Sequence, residues 1–277
     1  MGAGIAQVAL TAGHPTVLFD VSESALRTGV ERINRFVLRA VEKGATTEDE
    51  AEAALLNLKA STDLVDLAPC GVAVEAAPER LDLKQRIFAD LENTVGADAL
   101  LATNTSTLSV AAIFRDCLWP ARTIGMHFFN PAPLMPLVEV VRGPATAPET
   151  VERSLALVRS WGKQPVLAAD APGFIVNRVA RPFYGEALRM LGDGRADVAT
   201  LDRVLRDAGF PMGPFELMDL IGIDVNLAAA ESVFDGFFGD PRFRPHPIQR
   251  QMVDSGRLGR KSGRGYYDYD ARGEGER

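Results

Sequence analysis

Residues 99–141 read ALLATNTSTLSVAAIFRDCLWPARTIGMHFFNPAPLMPLVEVV. Three apolar runs, ALLATNT, TIGMHFF and LVEVV, read as buried strands. The segment around 109–115 reads as a short helix, and NPAPLMP as a turn. A hydroxyl (Ser106), an imidazole (His127), an amide (Asn130) and a carboxylate (Glu139) stand near the ends of these runs. In open α/β sheets ligands bind at strand ends. A histidine with a carboxylate partner suits removal of a hydroxyl proton near neutral pH.

Working outward, GAGIAQVALTA (2–12) reads as a small-residue helix closed by Gly13, and TVLFD (16–20) as a strand ending in Asp20. Residues 22–44 and 47–59 carry helical periodicity, separated at Gly44. GVAVEAA (71–77) is a strand, and 79–95 a helix with a polar start. After Gly143 come a helix (148–161) and the strand QPVLAA (164–169). From Ala171 onward the signals are helical, over 173–191, 197–208 and 214–235. Strands alternating with helices, followed by helices alone, predict a doubly wound α/β domain over 1–170 and an all-α domain over 171–277. The tail ARGEGER (271–277) is expected to fray.

Composition narrows the function. With 277 residues the chain can bury a sizeable core. A net charge of -7 argues against general nucleic-acid binding, which needs a basic surface. It leaves room for an anionic small ligand on a local basic patch. Cys70 and Cys117 show neither metal-ligand spacing nor a disulfide framework, so no metal is expected and the cytoplasm is the simplest setting. No apolar run is long enough to span a bilayer, and the N-terminus lacks signal-peptide features.

A dinucleotide site needs a strand, a glycine-rich turn, a helix, and a second strand ending in an acid about 20 residues on. Asp20 lies 18 residues after Gly2, which suits an acid bonding the adenosine ribose and favours NAD over NADP. Asp20 could instead simply end a strand in a turn; the small-residue helix before it supports the ribose reading.

The segments MGAGIAQVA, VEAAPERLDLKQ, TNTSTL, GMHFFNPAPLMPLVEVV, PGFIVNR, GPFELMDLIGID and GRKSGRGYY, in this order, resemble the L-3-hydroxyacyl-CoA dehydrogenase family over nearly the whole chain. The resemblance implies a Rossmann-type NAD domain and oxidation of an L-3-hydroxyacyl-CoA to a 3-ketoacyl-CoA. His127 would be the general base and Glu139 the carboxylate orienting it, while Ser106 and Asn177 would bond the reacting oxygen or the thioester carbonyl. Asn130 would be a neighbouring substrate contact. Gly2, Asp20, Glu79, Lys84, Asn104 and Lys261 would face the cofactor. Arg32, Arg35, Arg39 and Lys43 share one helix face, a solvated stripe or a contact for CoA phosphates, with Lys43 counted among the substrate residues. Taken singly, His127 reads as a structural histidine, Ser106 as a helix N-cap, Asn130 as a turn residue, Asn177 as a backbone partner, Glu79 as a helix-start acid and Lys261 as a loop cation.

The family's fingerprint runs through a strand and then G-x-G-x-M-G-x-G-I-A, and Met1–Ala6 match only its second half. A first strand and two glycines, roughly ten to fifteen residues, have no counterpart. Two neighbouring strands would then lack a hydrogen-bond partner, which favours a start assigned to an internal Met over a true start with a degraded site. GPFELMDLIGID resembles the family's dimerisation surface, implying a homodimer. VNRVARPFYGEALRML and GRKSGRGYYDY look most like bacterial members of the phenylacetate-degradation branch, which act on 3-hydroxyadipyl-CoA, with a butyryl-CoA type as close rival. The alternatives are a dehydrogenase of free hydroxy or sugar acids, and a CoA-ester-binding dimer without redox function.

Overall fold

The computed structural model describes residues 1–270 and the short strand Gly275–Glu276. Apart from that strand, the expectation of fraying over 271–277 lies outside the described residues. Two compact units emerge, Met1–Ala171 and Pro172–Arg277.

The first unit opens with α1 (Gly2–Thr11), whose small side chains allow close packing and which ends at Ala12 with Gly13 at φ 84°. β1 (Thr16–Phe19) follows, then α2 (Glu23–Glu42), whose start Ser22 caps by accepting from the Ala25 amide. α3 (Glu48–Leu56) begins with a capping box between Thr47 and Glu50. Where helix was expected to run on to residue 59, Leu58–Ser61 forms a strand, β2. Its Lys and Ala content carries no strand signal. Parallel pairing with β1, from Thr16 opposite Leu58 to Phe19 opposite Ser61, decides the outcome.

The remaining elements are β3 (Val72–Glu75), α4 (Leu81–Thr94), β4 (Leu100–Thr103), α5 (Val110–Ile113), β5 (Thr123–Phe128), β6 (Leu137–Arg142), α6 (Pro148–Ser160) and β7 (Gln164–Ala169). They build a five-stranded sheet in the order β3-β4-β5-β6-β7, in which only the β5–β6 pair is antiparallel. β1 and β2 form a separate parallel pair.

The break falls between β1 and β3, where the sequence reading expects the absent first strand. β1 is half-buried at three of its four residues and β3 at two of its four, whereas β4 and β5 are buried throughout. α1 covers both sides of the break. Ile5, Val8 and Ala9 pack into the core of the larger sheet, while Ala6 and Leu10 pack with Leu18, Ile33 and Val37. Full burial of an aliphatic side chain is worth about 1.5–3 kcal/mol, so this one helix ties the two sheets together.

The second unit contains α7 (Val176–Gly192), α8 (Val198–Asp207), α9 (Pro214–Ile221), α10 (Ile223–Gly236) and α11 (Pro247–Asp254). The single helix expected over 214–235 is broken at Gly222, whose φ of 103° no other residue adopts without strain. α11 was not anticipated. The chain end is clipped back by two buried aspartates. Asp219 accepts from the Tyr266 and Tyr267 amides and the Tyr269 hydroxyl, and Asp202 from the Phe215 and Glu216 amides and the Tyr267 hydroxyl. Burial pushes both carboxyls above their ordinary range, against the pull of these donors. No helix among the described residues is long and apolar enough to cross a membrane.

Candidate active site

β5 and β6 are antiparallel neighbours, and their register sets His127 directly opposite Glu139. The two side chains meet, with Nδ1 2.6 Å from Glu139 Oε2, at 4% and 0% exposure. A carboxylate only accepts, so Nδ1 carries the proton and Nε2 is the unprotonated ring nitrogen. Phe129 lies against the imidazole, ring centres 4.6 Å apart. Asn104, at the end of β4, receives the Phe128 amide on its Oδ1 at 2.8 Å, so this side chain fixes the strand beside His127.

Ser106 sits in the loop after β4. It is not the cap of α5; Ser109 is, accepting from the Ala112 amide. Two carboxylates hold the loop. Glu79 Oε1 accepts the Thr105 hydroxyl, the Ser106 amide at 2.8 Å, and the Thr107 amide at 3.1 Å and hydroxyl at 3.2 Å. Burial opposes ionisation of Glu79, but the Thr105 hydroxyl, Lys84 and the two amides outweigh it and hold the group below the usual carboxylate range. Further along, Asp170 accepts the Ser109 hydroxyl and the Val110 and Ala111 amides at 2.8–2.9 Å.

Lys84 lies beneath this arrangement, 1% exposed. Its ammonium is 2.6 Å from Glu75 Oε1 and 3.3 Å from Glu79 Oε2. The second oxygen of Glu75 accepts from Thr103 at 2.7 Å. In this placement Lys84 holds Glu75 and Glu79 rather than facing outward. Glu75 and Asp170 are residues the sequence reading missed; an acid closing the apolar run VAVE was the available signal for the first.

At the start of α1, the chain approaches Ala76 and the turn after β5. A side-chain carbon on Gly2 would stand 3.9 Å from Ala76 Cβ, and one on Gly4 3.4 Å from Ala132 and Pro133. The first turn contains no acid and no side-chain cap; the Gly4 and Ile5 amides donate to the Met1 carbonyl, and the positive end of the helix dipole lies at this end. Asp20, half-buried beyond β1, accepts the Ser22 amide at 2.9 Å on Oδ1. A helix N-terminus for phosphate and an acid at the next strand end fit the two halves of a dinucleotide. Asn130, exposed, precedes a cis-Pro131 in the turn.

Lys43 caps α2 in solvent, on the exposed face of Arg32, Arg35 and Arg39. In the second unit, Asn177 lies in the first turn of α7, and the Lys261 ammonium is bound by Asp224 at 2.5 and 2.7 Å. Neither cysteine offers a nucleophile. Both are free; burial raises the Cys70 thiol, and burial with the nearby Glu92 charge pushes Cys117 up to about 12. No cluster suited to a metal occurs among the described residues.

Two family models match the chain: "3-hydroxyacyl-CoA dehydrogenase, NAD binding domain" over residues 1–171 and "3-hydroxyacyl-CoA dehydrogenase, C-terminal domain" over 173–269. The chain is 49% identical over 275 residues to the 3-hydroxyadipyl-CoA dehydrogenase of Escherichia coli K12, covering 99% of itself but 58% of that relative. To the 3-hydroxybutyryl-CoA dehydrogenase of Bradyrhizobium diazoefficiens it is 41% identical, covering 97% of this chain and 92% of the other. Among solved structures, the (S)-3-hydroxybutyryl-CoA dehydrogenase of Ralstonia eutropha superposes with a TM-score of 0.94 at 39% identity, over 98% of this chain and 95% of that one.

Proposed function

This chain belongs to the 3-hydroxyacyl-CoA dehydrogenase family, and from that premise we propose that it oxidises an L-3-hydroxyacyl-CoA to the 3-ketoacyl-CoA with NAD, His127 serving as the base. The observation that carries this reading is the buried, in-register His127–Glu139 pair. Glu139 fixes the tautomer that leaves Nε2 basic, and its charge favours the imidazolium that forms as the 3-hydroxyl proton arrives. Ser106, in a loop held by Glu79 and Asp170, supplies a hydroxyl to the reacting oxygen or the thioester carbonyl, and Asn177 an amide. Asp20 and the start of α1 at Gly2 hold the dinucleotide. When bound, NAD supplies the electron-pair acceptor for C3 of the acyl chain.

The 49% identity to an enzyme named for 3-hydroxyadipyl-CoA supports a dicarboxylic acyl substrate, and the equal identity to a solved structure named for 3-hydroxybutyryl-CoA keeps the simple short acyl ester as its rival. We place the enzyme in the cytoplasm, a setting that suits its two free cysteines. We propose a homodimer through the apolar residues exposed at the junction of α9 and α10, Leu220, Ile221 and Val225. Light scattering on the purified protein gives the assembly mass, and a monomer at micromolar concentration refutes the dimer.

The deciding experiment is NADH oxidation with acetoacetyl-CoA and 3-ketoadipyl-CoA, run on this chain beside a version extended upstream by an apolar strand and glycine-rich turn. Turnover that collapses in His127→Ala while NADH still binds supports the base assignment; parallel loss of both refutes it. Activity in neither folded version refutes the redox reading and leaves a CoA-ester-binding protein.

A further inference from the structure

Helix α7 carries an arginine that the proposed chemistry leaves unused. Arg181 is 7% exposed, yet its partners are neutral. Nε donates to the Asn177 carbonyl at 3.1 Å and Nη1 to the Asn226 carbonyl at 3.0 Å, while the guanidinium lies 5.0 Å from the centre of the Tyr184 ring. No carboxylate among the described residues pairs with it. Its neighbours differ in this respect: Arg242 is bound by Asp240 at 2.7 Å and Arg189 by Glu186 at 2.5 Å. A buried cation with no counter-charge is costly, by several kcal/mol for the desolvation alone. Burial accordingly draws the Arg181 pKa below its ordinary value.

Arg181 faces a small cleft of about 20 Å³, lined also by Tyr184, Asn226, Arg244, His246 and Gln249, and none of its lining residues is acidic. The volume suits a head group of one or two heavy atoms beyond the cleft mouth. The charge comes from Arg181 and the exposed Arg244, since Arg242 is already neutralised by Asp240. His246 is kept largely uncharged at neutral pH by burial and by Arg189.

We infer that this cleft binds a carboxylate, and that the carboxylate is the far end of a dicarboxylic acyl chain. The inference rests on the dehydrogenase reading above and deepens it, assigning the residue that would separate a dicarboxylic ester from a simple one. Asn177 and Arg181 are four residues apart on α7, a rise of about 6 Å, and are joined by the bond from Nε to the Asn177 backbone carbonyl. In a six-carbon dicarboxylic chain, three C–C bonds separate C3 from the terminal carboxyl carbon, roughly 4 Å when extended. A chain with its 3-oxygen at Asn177 therefore reaches the Arg181 cleft with its terminal carboxylate. Guanidinium and carboxylate meet there as a charge-assisted pair, and the cost of the buried cation is offset only when the ligand carries that charge. A simple short acyl chain has nothing to place there. A free small anion has the same chemistry but no tie to the acyl chain, and the test separates the two sources.

Calorimetric titration without NAD, in wild type, Arg181→Met and Arg244→Gln, gives Kd for 3-hydroxyadipyl-CoA and 3-hydroxybutyryl-CoA with no turnover. The expected result is a wild-type preference for the adipyl ester that falls at least tenfold in Arg181→Met, and by threefold or more in Arg244→Gln. If Arg181→Met fails to fold, Arg244→Gln decides alone, its side chain being exposed. A preference constant within twofold in the folded variants overturns the inference. Free adipate that raises the melting temperature of wild type but not of Arg181→Met, with the ester preference unmoved, assigns the cleft to a free anion and also overturns it. Wild type binding neither ester refutes the dehydrogenase reading and the cleft assignment together, a pattern distinct from equal binding of both.

Discussion

Replacing Lys84 by methionine tests whether the ion cluster beneath Ser106 is what holds this part of the sheet together. The ammonium, 1% exposed, stands between Glu75 and Glu79, and the two carboxylates respond differently to its loss. The Glu79 side chain is 35% exposed and keeps the Thr105, Ser106 and Thr107 donors, so water and hydrogen bonds sustain its charge. The Glu75 side chain is 2% exposed and keeps only the Ala77 amide and the Thr103 hydroxyl. The cost therefore falls on Glu75. Breaking a buried pair from one side costs about 3–5 kcal/mol. For a unit of this size each kcal/mol lowers the midpoint by about 2–4 °C, so Lys84→Met should melt roughly 6–20 °C lower by calorimetry. Removing the stranded charge in Lys84→Met/Glu75→Gln should recover at least half of the loss, because a neutral side chain pays no Born penalty. A double variant no more stable than Lys84→Met, or a single variant within about 1 kcal/mol of wild type, refutes the argument that charge compensation, rather than packing of the lysine stem, is what Lys84 contributes.

Glu139→Gln keeps the shape of the buried pair but removes its charge. A charged hydrogen bond is worth about 1.5–3 kcal/mol, so kcat should fall roughly 10- to 150-fold with the Kd for NADH little changed; a loss under threefold means the charge is not used. Asp20→Ala should raise the Kd for NADH and narrow its advantage over NADPH, and an unaltered ratio would place the ribose contact elsewhere. Glu79 titrates below its unfolded value, so its stabilisation is complete above that value and is lost as pH falls through the folded one. Asp202 and Asp219 have the opposite sign: their contribution is complete below the unfolded value and is lost as pH rises through the raised folded ones. On acidification, calorimetry should therefore find the first unit losing stability before the second, and Glu79→Gln should narrow the gap; the reverse order contradicts these directions.

Most of the fold was legible because its signals were local. Runs such as ALLATNT and LVEVV are long and apolar enough to read as buried strands, and Ser22, Thr47 and Gly13 mark helix ends by their own chemistry. β2 was missed because LKAS has no strand character of its own; only pairing with β1 makes it one. The break at Gly222 was missed because a glycine inside an apolar helical pattern does not announce a positive φ. The split between β1 and β3 was foreseen from a different kind of evidence, a motif of which only half is present.

The site divides along the same line. His127 and Glu139 could be named from sequence, since a chemical requirement picks out those residue types, but their contact depends on a register that no local signal carries. The supporting acids were less visible. Glu75 and Asp170 do their work by accepting from backbone amides and buried hydroxyls, and such partners exist only once the loops are folded. Lys84 illustrates the consequence. A motif match assigned it to the cofactor, and its burial between Glu75 and Glu79 makes it also a counter-charge of the network that holds the Ser106 loop. Residues matched by motif can thus serve a ligand at one remove. For Lys84 that means its mutation should first change how firmly the Ser106 loop is held, and only through that loop the affinity for anything bound above it.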